Sequence, residues 1–248
     1  MAVALGMLYQ LDSDYTHACG ISTGGLVAAS LARAEGSTRE CAQRMYLALQ
    51  GERTSWRSTL AAAANVVYAY LFRRKLFHPR LPALEGHEWT KTLQVGVYNV
   101  SRSRYTTFSH KSEHVPIPTN FFSPVRWKGD VFVDGAVAHV LPVPEITQYW
   151  THTRGDVDIL LCYPLHAGEW LDDPAYAYDI LWSRMQQDIH ILEQFFGAPL
   201  EPLNRFGDRT VRFLRSTRCN DVVAASAESI VRMFEQGKLT VRTQLRCI

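Results

Sequence analysis

Hydrophobic positions in the first part of the chain recur at spacings that predict helices around one short strand. Residues 1–11 are apolar on almost every side, which is the pattern of a buried helix. A strand is expected at about 15–19, and the helix expected at about 23–34 carries small alanine residues that allow close approach to a sheet. Ser37 and Glu40 have the spacing of a capping box, so another helix begins there.

The rest of the chain continues this alternation. The helix after Ser37 is expected to stop at Gly51, and an alanine-rich helix is expected at about 58–74. Later apolar stretches predict strands at 93–100, 130–135, 157–163 and 211–216 and helices at 177–196 and 226–236, the last ending at Gly237. Alternating strands and helices predict an α/β sandwich with a mostly parallel sheet. Without repeats or linkers, residues 1–248 are expected to form a single domain.

A glycine-rich turn containing a serine connects the first predicted strand to the following helix. The turn is Gly20-Ile21-Ser22-Thr23-Gly24, and a strand-to-helix position is the context of a nucleophile elbow. The flanking glycines remove side chains that would clash in so sharp a turn, which lifts the serine hydroxyl above the end of the sheet. The pentapeptide alone is weak evidence, so a purely structural turn is the alternative interpretation.

Asp134 is the candidate base for that serine. It ends a short apolar strand, and Gly135 after it permits a close approach of the backbone. An Asp-Gly pair by itself is more often only a turn. In a doubly wound sheet, however, both strand ends open onto the same edge, where such sites form.

A histidine base is the alternative, because four histidines follow Asp134. They are His139, His152, His166 and His190, and they give the serine–aspartate–histidine order of an α/β-hydrolase triad. The position of the serine argues against this class: about 20 residues precede it, whereas the elbow of that fold normally follows several strands.

Composition and charge limit the partners. The chain has 47% hydrophobic and 20% charged residues and a net charge of +2, which suits a globular protein and indicates no nucleic-acid partner. Its five cysteines are scattered and odd in number, so neither a disulfide framework nor a zinc site is expected, and a reducing compartment is favoured. We predict no metal and no cofactor, and the oligomeric state is open.

The apolar segments do not have the features of a signal peptide or a membrane span. The first 12 residues carry no basic region. The apolar run at 60–72, with basic residues after it at 73–75, is shorter than the roughly 20 residues a span needs. It is interpreted as a buried helix or, alternatively, as an interfacial helix touching lipid. A cytoplasmic or peripherally membrane-associated protein is therefore expected.

Together these motifs resemble the patatin-like phospholipase family. Its elbow, Gly-Thr-Ser-Thr-Gly-Gly, is similar to residues 20–25, and its Asp-Gly-Gly or Asp-Gly-Ala signature, with Pro-Val downstream, is similar to residues 134–136 and 142–143. Further similar stretches are residues 93–109, where the family has a middle strand and a loop, residues 117–137, and residues 226–238, its closing helix. The similarity covers nearly the whole chain.

The resemblance implies a three-layer α/β/α fold and a Ser-Asp dyad without histidine. Ser22 would be the nucleophile and Asp134 the proton acceptor in hydrolysis of phospholipids or other acyl lipids through an acyl-enzyme. An aspartate is a weak base unless desolvation raises its pKa. The apolar neighbours that are candidates for this effect are Val131, Phe132, Val133 and Val137.

The chain departs from the family at its beginning. The family places a glycine-rich loop, whose N–H groups form the oxyanion hole, between its first strand and first helix. This chain begins with what resembles the helix after that loop, and Gly6 lies within the helix pattern, so no oxyanion hole is visible. The start was assigned too late, the chain is a fragment, or it is an inactive homologue. The intact motifs favour a missing N-terminus; the alternative is a catalytically impaired lipid-binding or interaction domain.

Overall fold

The protein has a mixed α/β fold, seen in a computed structural model that describes residues 1–53, 88–113, 115, 124–162, 176–216 and 227–246. The described helices are α1 (Ala2–Leu11), α2 (Thr23–Arg33), α3 (Thr38–Arg53), α4 (Val143–His152), α5 (Tyr176–Phe196) and α6 (Ala227–Arg246). The described strands are β1 (His17–Ile21), β2 (Thr92–Asn99), β3 (Arg104–Ser109), β4 (Val125–Trp127), β5 (Asp130–Asp134), β6 (Val157–Leu161), β7 (Asn204–Phe206) and β8 (Arg209–Arg215). The helix expected at 58–74 and His166 lie outside the described residues.

The described strands form two mixed sheets. In the first, β2 pairs in parallel with β1 and antiparallel with β3 and β5, and β5 pairs antiparallel with β4. In the second, β8 pairs in parallel with β6 and antiparallel with β7. The prediction of a mostly parallel sheet is therefore wrong for the described strands, in which β1–β2 and β6–β8 are the parallel pairs.

Short hairpins account for the antiparallel pairs β4–β5 and β7–β8, whereas β2 and β5 pair although they are distant in the sequence. Lys128 and Gly129 connect β4 to β5 with φ angles of 48° and 83°, which is the conformation of a two-residue type I′ turn. Gly207, with φ of 65°, lies in the equally short turn between β7 and β8. Such turns impose antiparallel pairing. The sequence interpretation did not include β4 or β7, and it placed a loop where β3 forms.

Helices contact both faces of the first sheet. The predicted close approach of α2 is confirmed, because Ala28, Ala29 and Ala32 are buried in one cluster with Leu93 and Val95 of β2. On the opposite face α4 reaches the sheet with polar side chains: Gln148 bonds Gln94 of β2, and Glu145 bonds two residues of β3. The sequence interpretation did not predict α4.

Helices α1 and α6 cross at a pair of glycines. The prediction that residues 1–11 form a buried helix is confirmed, since Val3, Leu5 and Met7 are fully buried. The prediction that the last helix ends at Gly237 is wrong, because α6 continues to Arg246. Gly237 is needed for packing instead: a Cβ atom there would lie 2.9 Å from the Met7 nitrogen and 3.0 Å from the Gly6 Cα.

The start of α3 has the predicted capping box. The Ser37 N–H donates to Glu40 Oε2 at 3.3 Å, and the Glu40 N–H donates to Ser37 Oγ at 3.2 Å. Each side chain thus satisfies a backbone donor that the first helical turn leaves free. The expected stop at Gly51 is wrong, since the helix continues through Gly51 to Arg53.

The second sheet has the core that the late apolar stretches predict. Met185, Ile189 and Leu192 of α5 are buried against strand residues such as Ile159 and Phe213. The near-continuous apolar sequence of β6 is typical of a strand buried on both faces, but its burial alternates, and Leu160 is only half-buried. The packing of α5 on this sheet matters for the candidate site, because Asp188 of α5 also contacts His139 in the segment that follows Asp134.

Candidate active site

Ser22 lies in the sharp turn between β1 and α2. Its φ of 57° and ψ of −128° are unusual for a residue with a side chain, and its carbonyl accepts a hydrogen bond from the Gly25 N–H at 3.0 Å. Such backbone strain persists only where the surroundings enforce it, and it is concentrated at functional sites. Because Ser22 precedes the first residue of α2, it also lies at the positive end of that helix.

The two glycines that flank Ser22 have different roles. A Cβ atom at Gly20 would lie 2.7 Å from the Gly25 nitrogen and still closer to the Gly24 carbonyl, so the turn requires glycine there. A Cβ atom at Gly24 would meet nothing within 4 Å. The expectation that both glycines relieve a clash is therefore correct for Gly20 and wrong for Gly24.

Asp134 ends β5 and is buried, with 2% of its surface exposed. Its Oδ1 atom accepts a hydrogen bond from the Ala136 N–H at 2.9 Å, which closes a tight turn into the 3₁₀ helix Gly135–Val137. A Cβ atom at Gly135 would lie 2.8 Å from the Gly96 carbonyl carbon. The close backbone approach expected at Gly135 is thus present in the structure.

The register of the first sheet brings the ends of β1 and β5 together. Ile21, the last residue of β1, pairs with Gly96, and Asp134 pairs with the next residue of β2, Val97. Because β3 occupies one edge of β2 throughout residues 94–99, β1 and β5 share the other edge. They run in opposite directions along it and meet end to end.

This junction contains every residue of the two motifs. Residues 20–24 lie at the end of β1 and the start of α2, and residues 134–136 lie at the end of β5. The meeting was expected from parallel strands that open onto one edge, whereas it arises from one parallel and one antiparallel strand. Of the apolar neighbours of Asp134, Phe132 is buried on the same strand face, and Val137 is 44% exposed.

A second polar cluster lies beyond the Asp134 turn. His139 Nδ1 and Asp188 Oδ1 are 2.7 Å apart, and the Asp188 carboxylate is 2% exposed. The Asp188 Oδ2 atom accepts hydrogen bonds from the N–H groups of Val140 at 2.6 Å and Leu141 at 3.0 Å. A buried aspartate on an imidazole Nδ1 is also the arrangement that orients a catalytic histidine, so His139 has to be tested as an alternative base.

Tyr105 connects this cluster to the junction. Its ring meets the His139 ring edge to face at 5.0 Å, and its hydroxyl occupies the space that a Cβ atom of Gly96 would take. The hydroxyl donates to the buried carboxylate of Glu145, which also accepts from the Thr107 hydroxyl. Burial, and then the negative charge of Glu145, raises the pKa of Tyr105 far above its usual range. The hydroxyl therefore stays protonated and remains a donor.

The sequence interpretation missed Asp188 and Glu145, although one signal for them was present. Asp188 lies on the apolar stripe of α5, between Met185 and Leu192 at helical spacing, and Glu145 lies beside apolar residues at the start of α4. A carboxylate on the buried face of a helix needs donors. A search for charged residues on the buried face of the helix predicted at 177–196 would have identified Asp188, whereas Glu145 lies on α4, which was not predicted.

His152 and His190, the other described histidines that follow Asp134, are not part of these clusters. His152 is exposed and bonds the Gln148 carbonyl of its own helix, and His190 is exposed beside Gln194. Neither histidine is therefore placed to act as a base for Ser22. Within the described ranges, no group of three or more histidine, cysteine or acidic side chains is placed to hold a metal ion. None of the helices in those ranges is long and apolar enough to cross a membrane.

No model of a known protein family matches the chain, and no curated protein sequence matches it either. The class of site is therefore defined by its own geometry: a strained serine at a helix N-terminus whose strand ends beside a buried aspartate.

Proposed function

We propose that the protein is a serine acyl hydrolase that cleaves phospholipids or other acyl lipids, with Ser22 as nucleophile and Asp134 as proton acceptor. The observation that carries the proposal is the pairing of Ile21 and Asp134 with consecutive residues of β2. It brings the strained serine turn and the buried carboxylate to one point of the sheet. The proposal includes a single patatin-like domain with a three-layer α/β/α arrangement, in the cytoplasm or at a membrane surface.

The chemistry requires two displacements at an ester carbonyl. Asp134 accepts the hydroxyl proton of Ser22 while the oxygen attacks the carbonyl carbon, and the proton then passes to the departing alcohol. Water attacks the acyl-enzyme with Asp134 again as the base, which releases the fatty acid and restores Ser22. A carboxylate that is 2% exposed is poorly solvated, and this supports its use as a base.

The α2 N-terminus supports the same chemistry. The N–H of the residue after the nucleophile is a donor to the oxyanion in other strand-to-helix elbows, and Thr23 holds that position as the first residue of α2. Loss of one such donor costs on the order of 3 kcal/mol in the transition state. The proposed mechanism also needs a second hydrogen-bond donor to the oxyanion, and we assign none of the described residues to that role.

Ester hydrolysis by matched variants tests the dyad. Phospholipid vesicles and a soluble acyl ester serve as substrates for the wild type, Ser22→Ala and Asp134→Asn. Ser30→Ala and Asp130→Asn are the matched controls, because each makes the same chemical change nearby, on α2, which directly follows Ser22, and on β5, which ends at Asp134. We expect activity in the wild type and both controls and its loss in both dyad variants. Equal activity in all five proteins would contradict the assignment of Ser22 and Asp134 as the catalytic dyad.

The alternative, a lipid-binding or interaction domain without catalysis, is separated by the same samples. A fluorophosphonate probe reports an activated serine without requiring turnover of a particular lipid. Vesicle binding by the wild type, with neither hydrolysis nor Ser22-dependent labelling, would favour the alternative. Labelling that Ser22→Ala abolishes and Ser30→Ala preserves would exclude it.

A further inference from the structure

Asp188 of α5 holds the segment that follows the Asp134 turn. Its carboxylate receives the N–H groups of Val140 and Leu141 on Oδ2 and contacts Nδ1 of His139 through Oδ1. Asp188 is buried on an apolar helix face, so these partners offset the cost of burying its charge. Two backbone donors fix the position of the segment more firmly than flexible side chains would.

A second side chain of α5 extends this attachment. Arg184, one helical turn before Asp188, donates from Nη1 to the Ala138 carbonyl at 3.3 Å. Four consecutive residues, 138–141, are therefore bonded by α5. The same helix is packed into the core of the second sheet through Met185 and Leu192. The segment is thus attached to a rigid element rather than to another loop.

Hydrogen bonds continue from this segment back to Asp134. The N–H groups of Ala138 and His139 both donate to the Gly135 carbonyl, at 2.9 and 3.0 Å. The Ala136 N–H in turn donates to Asp134 Oδ1. A displacement of residues 138–141 would therefore move the turn that aims the Asp134 carboxylate.

We propose that Asp188 is a positioning residue, which fixes the Asp134 turn to α5 through the His139–Leu141 segment. The inference rests on the proposed function for its catalytic consequence, since Asp134 is the proton acceptor there. His139 is a link in this attachment and not the base. Misplacement of a reacting group by about 1 Å can cost roughly 100-fold in rate, which sets the size of the expected effect.

The test compares the removal of two buried carboxylates. Asp188→Ala removes the attachment, and Asp158→Ala is the matched control, because the Asp158 side chain is also buried and bonded, to Arg212 of β8 and to Tyr15 before β1, and none of its described hydrogen bonds reaches the Asp134 turn. Both variants are expected to unfold at lower temperature. Only Asp188→Ala is expected to lower kcat, by about 100-fold, with KM little changed.

Amide hydrogen exchange gives a second readout that does not depend on activity. Peptides covering residues 134–141 should lose protection in Asp188→Ala and keep it in Asp158→Ala. If Asp188→Ala does not fold, Arg184→Ala removes a single bond of a half-buried side chain and should loosen the same peptides to a smaller degree. Equal protection of these peptides in wild type and variants would overturn the proposal, even in a protein without esterase activity.

Conservative variants separate positioning from a catalytic triad. Asp188→Asn keeps the shape and an acceptor for the backbone donors, and His139→Asn keeps a donor near Nδ1, so both should retain most of the wild-type kcat. If Asp188 instead oriented a catalytic histidine, Asp188→Asn would cost on the order of 10⁴-fold. That loss, or complete loss in His139→Asn, would contradict the positioning role. Failure of the proposed function has a different signature, namely wild-type activity that Ser22→Ala leaves unchanged.

Discussion

Gly135 packs against Ile21 where the ends of β1 and β5 meet on β2. A Cβ atom at Gly135 would lie 3.1 Å from Ile21 Cγ2 and 2.8 Å from the Gly96 carbonyl carbon. The residue after Asp134 thus touches the residue before Ser22. The backbone at Gly135 packs against the Ile21 side chain and the Gly96 backbone, and the space there is too small for a methyl group.

Gly135→Ala is therefore expected to separate the two strand ends. Overpacking of this kind costs about 1–3 kcal/mol, and the shift of Asp134 should reduce ester hydrolysis more than it reduces stability. The checks are urea unfolding and kcat measured well below the unfolding transition. Val137→Ala is the control in the same 3₁₀ helix, because Val137 is exposed. A Gly135→Ala protein with wild-type kcat would show that the junction tolerates separation.

Substitution by alanine should lower the stability of the protein at Gly20 and raise it at Gly24. Gly20→Ala places a methyl group against the Gly24 carbonyl and the Gly25 nitrogen, so it is expected to destabilise by about 1–3 kcal/mol and to disturb the Ser22 turn. Gly24→Ala adds its methyl group in open space within a helix, where alanine is favoured over glycine by up to about 1 kcal/mol. The unfolding temperatures of the two variants check this prediction. A shift in the same direction for both would refute this account of the turn.

Local signals in the sequence predicted much of the fold. The buried pattern of residues 1–11, the Ser37–Glu40 capping box and the stripe of α5 all rest on interactions within one element, and all three are present. The Gly-Ile-Ser-Thr-Gly turn is also where it was expected. These features follow from periodicity and capping, which a single sequence displays.

Features that depend on partners distant in the chain were not predictable in this way. Gly237 has the sequence appearance of a helix stop, and only the backbone of α1 lying against it explains why a glycine stands inside the helix. The antiparallel approach of β5 to β2 and the donors that surround Asp188 likewise come from residues tens of positions away. The residues of the two motifs were identifiable from the sequence, whereas their end-to-end meeting was not.

The crossing of α1 and α6 should be intolerant of a single methyl group. In Gly6→Ala the new Cβ atom would lie 2.9 Å from the Phe234 carbonyl carbon, and in Gly237→Ala it would lie 3.0 Å from the Gly6 Cα. Because the obstacles are backbone atoms, no side chain can rotate away. We expect each variant to lose about 2 kcal/mol or more of unfolding free energy, measured by urea denaturation. Gly24→Ala is the control, and neutral results at both crossing glycines would contradict the packing.

Two partly buried tyrosines should make the protein sensitive to alkali. Burial, followed by the charge of Asp158 for Tyr15 and of Glu145 for Tyr105, raises the pKa of each hydroxyl far above its usual range. In the unfolded chain both titrate near pH 10. Above that pH the unfolded state binds fewer protons than the folded state, so the free energy of unfolding falls by about 1.4 kcal/mol per pH unit for each tyrosine.

Urea unfolding between pH 7 and pH 11 measures this dependence. Below pH 9 the curves of wild type, Tyr15→Phe and Tyr105→Phe should run parallel, offset by the hydrogen bond that each substitution removes. Above pH 10 the free energy of unfolding should fall less steeply in each phenylalanine variant than in the wild type, because one of the two hydroxyls with a raised pKa has been removed. The two differences should add in the double variant, since the tyrosines bond different carboxylates. Curves that stay parallel to pH 11 would mean that both hydroxyls ionise in the folded protein.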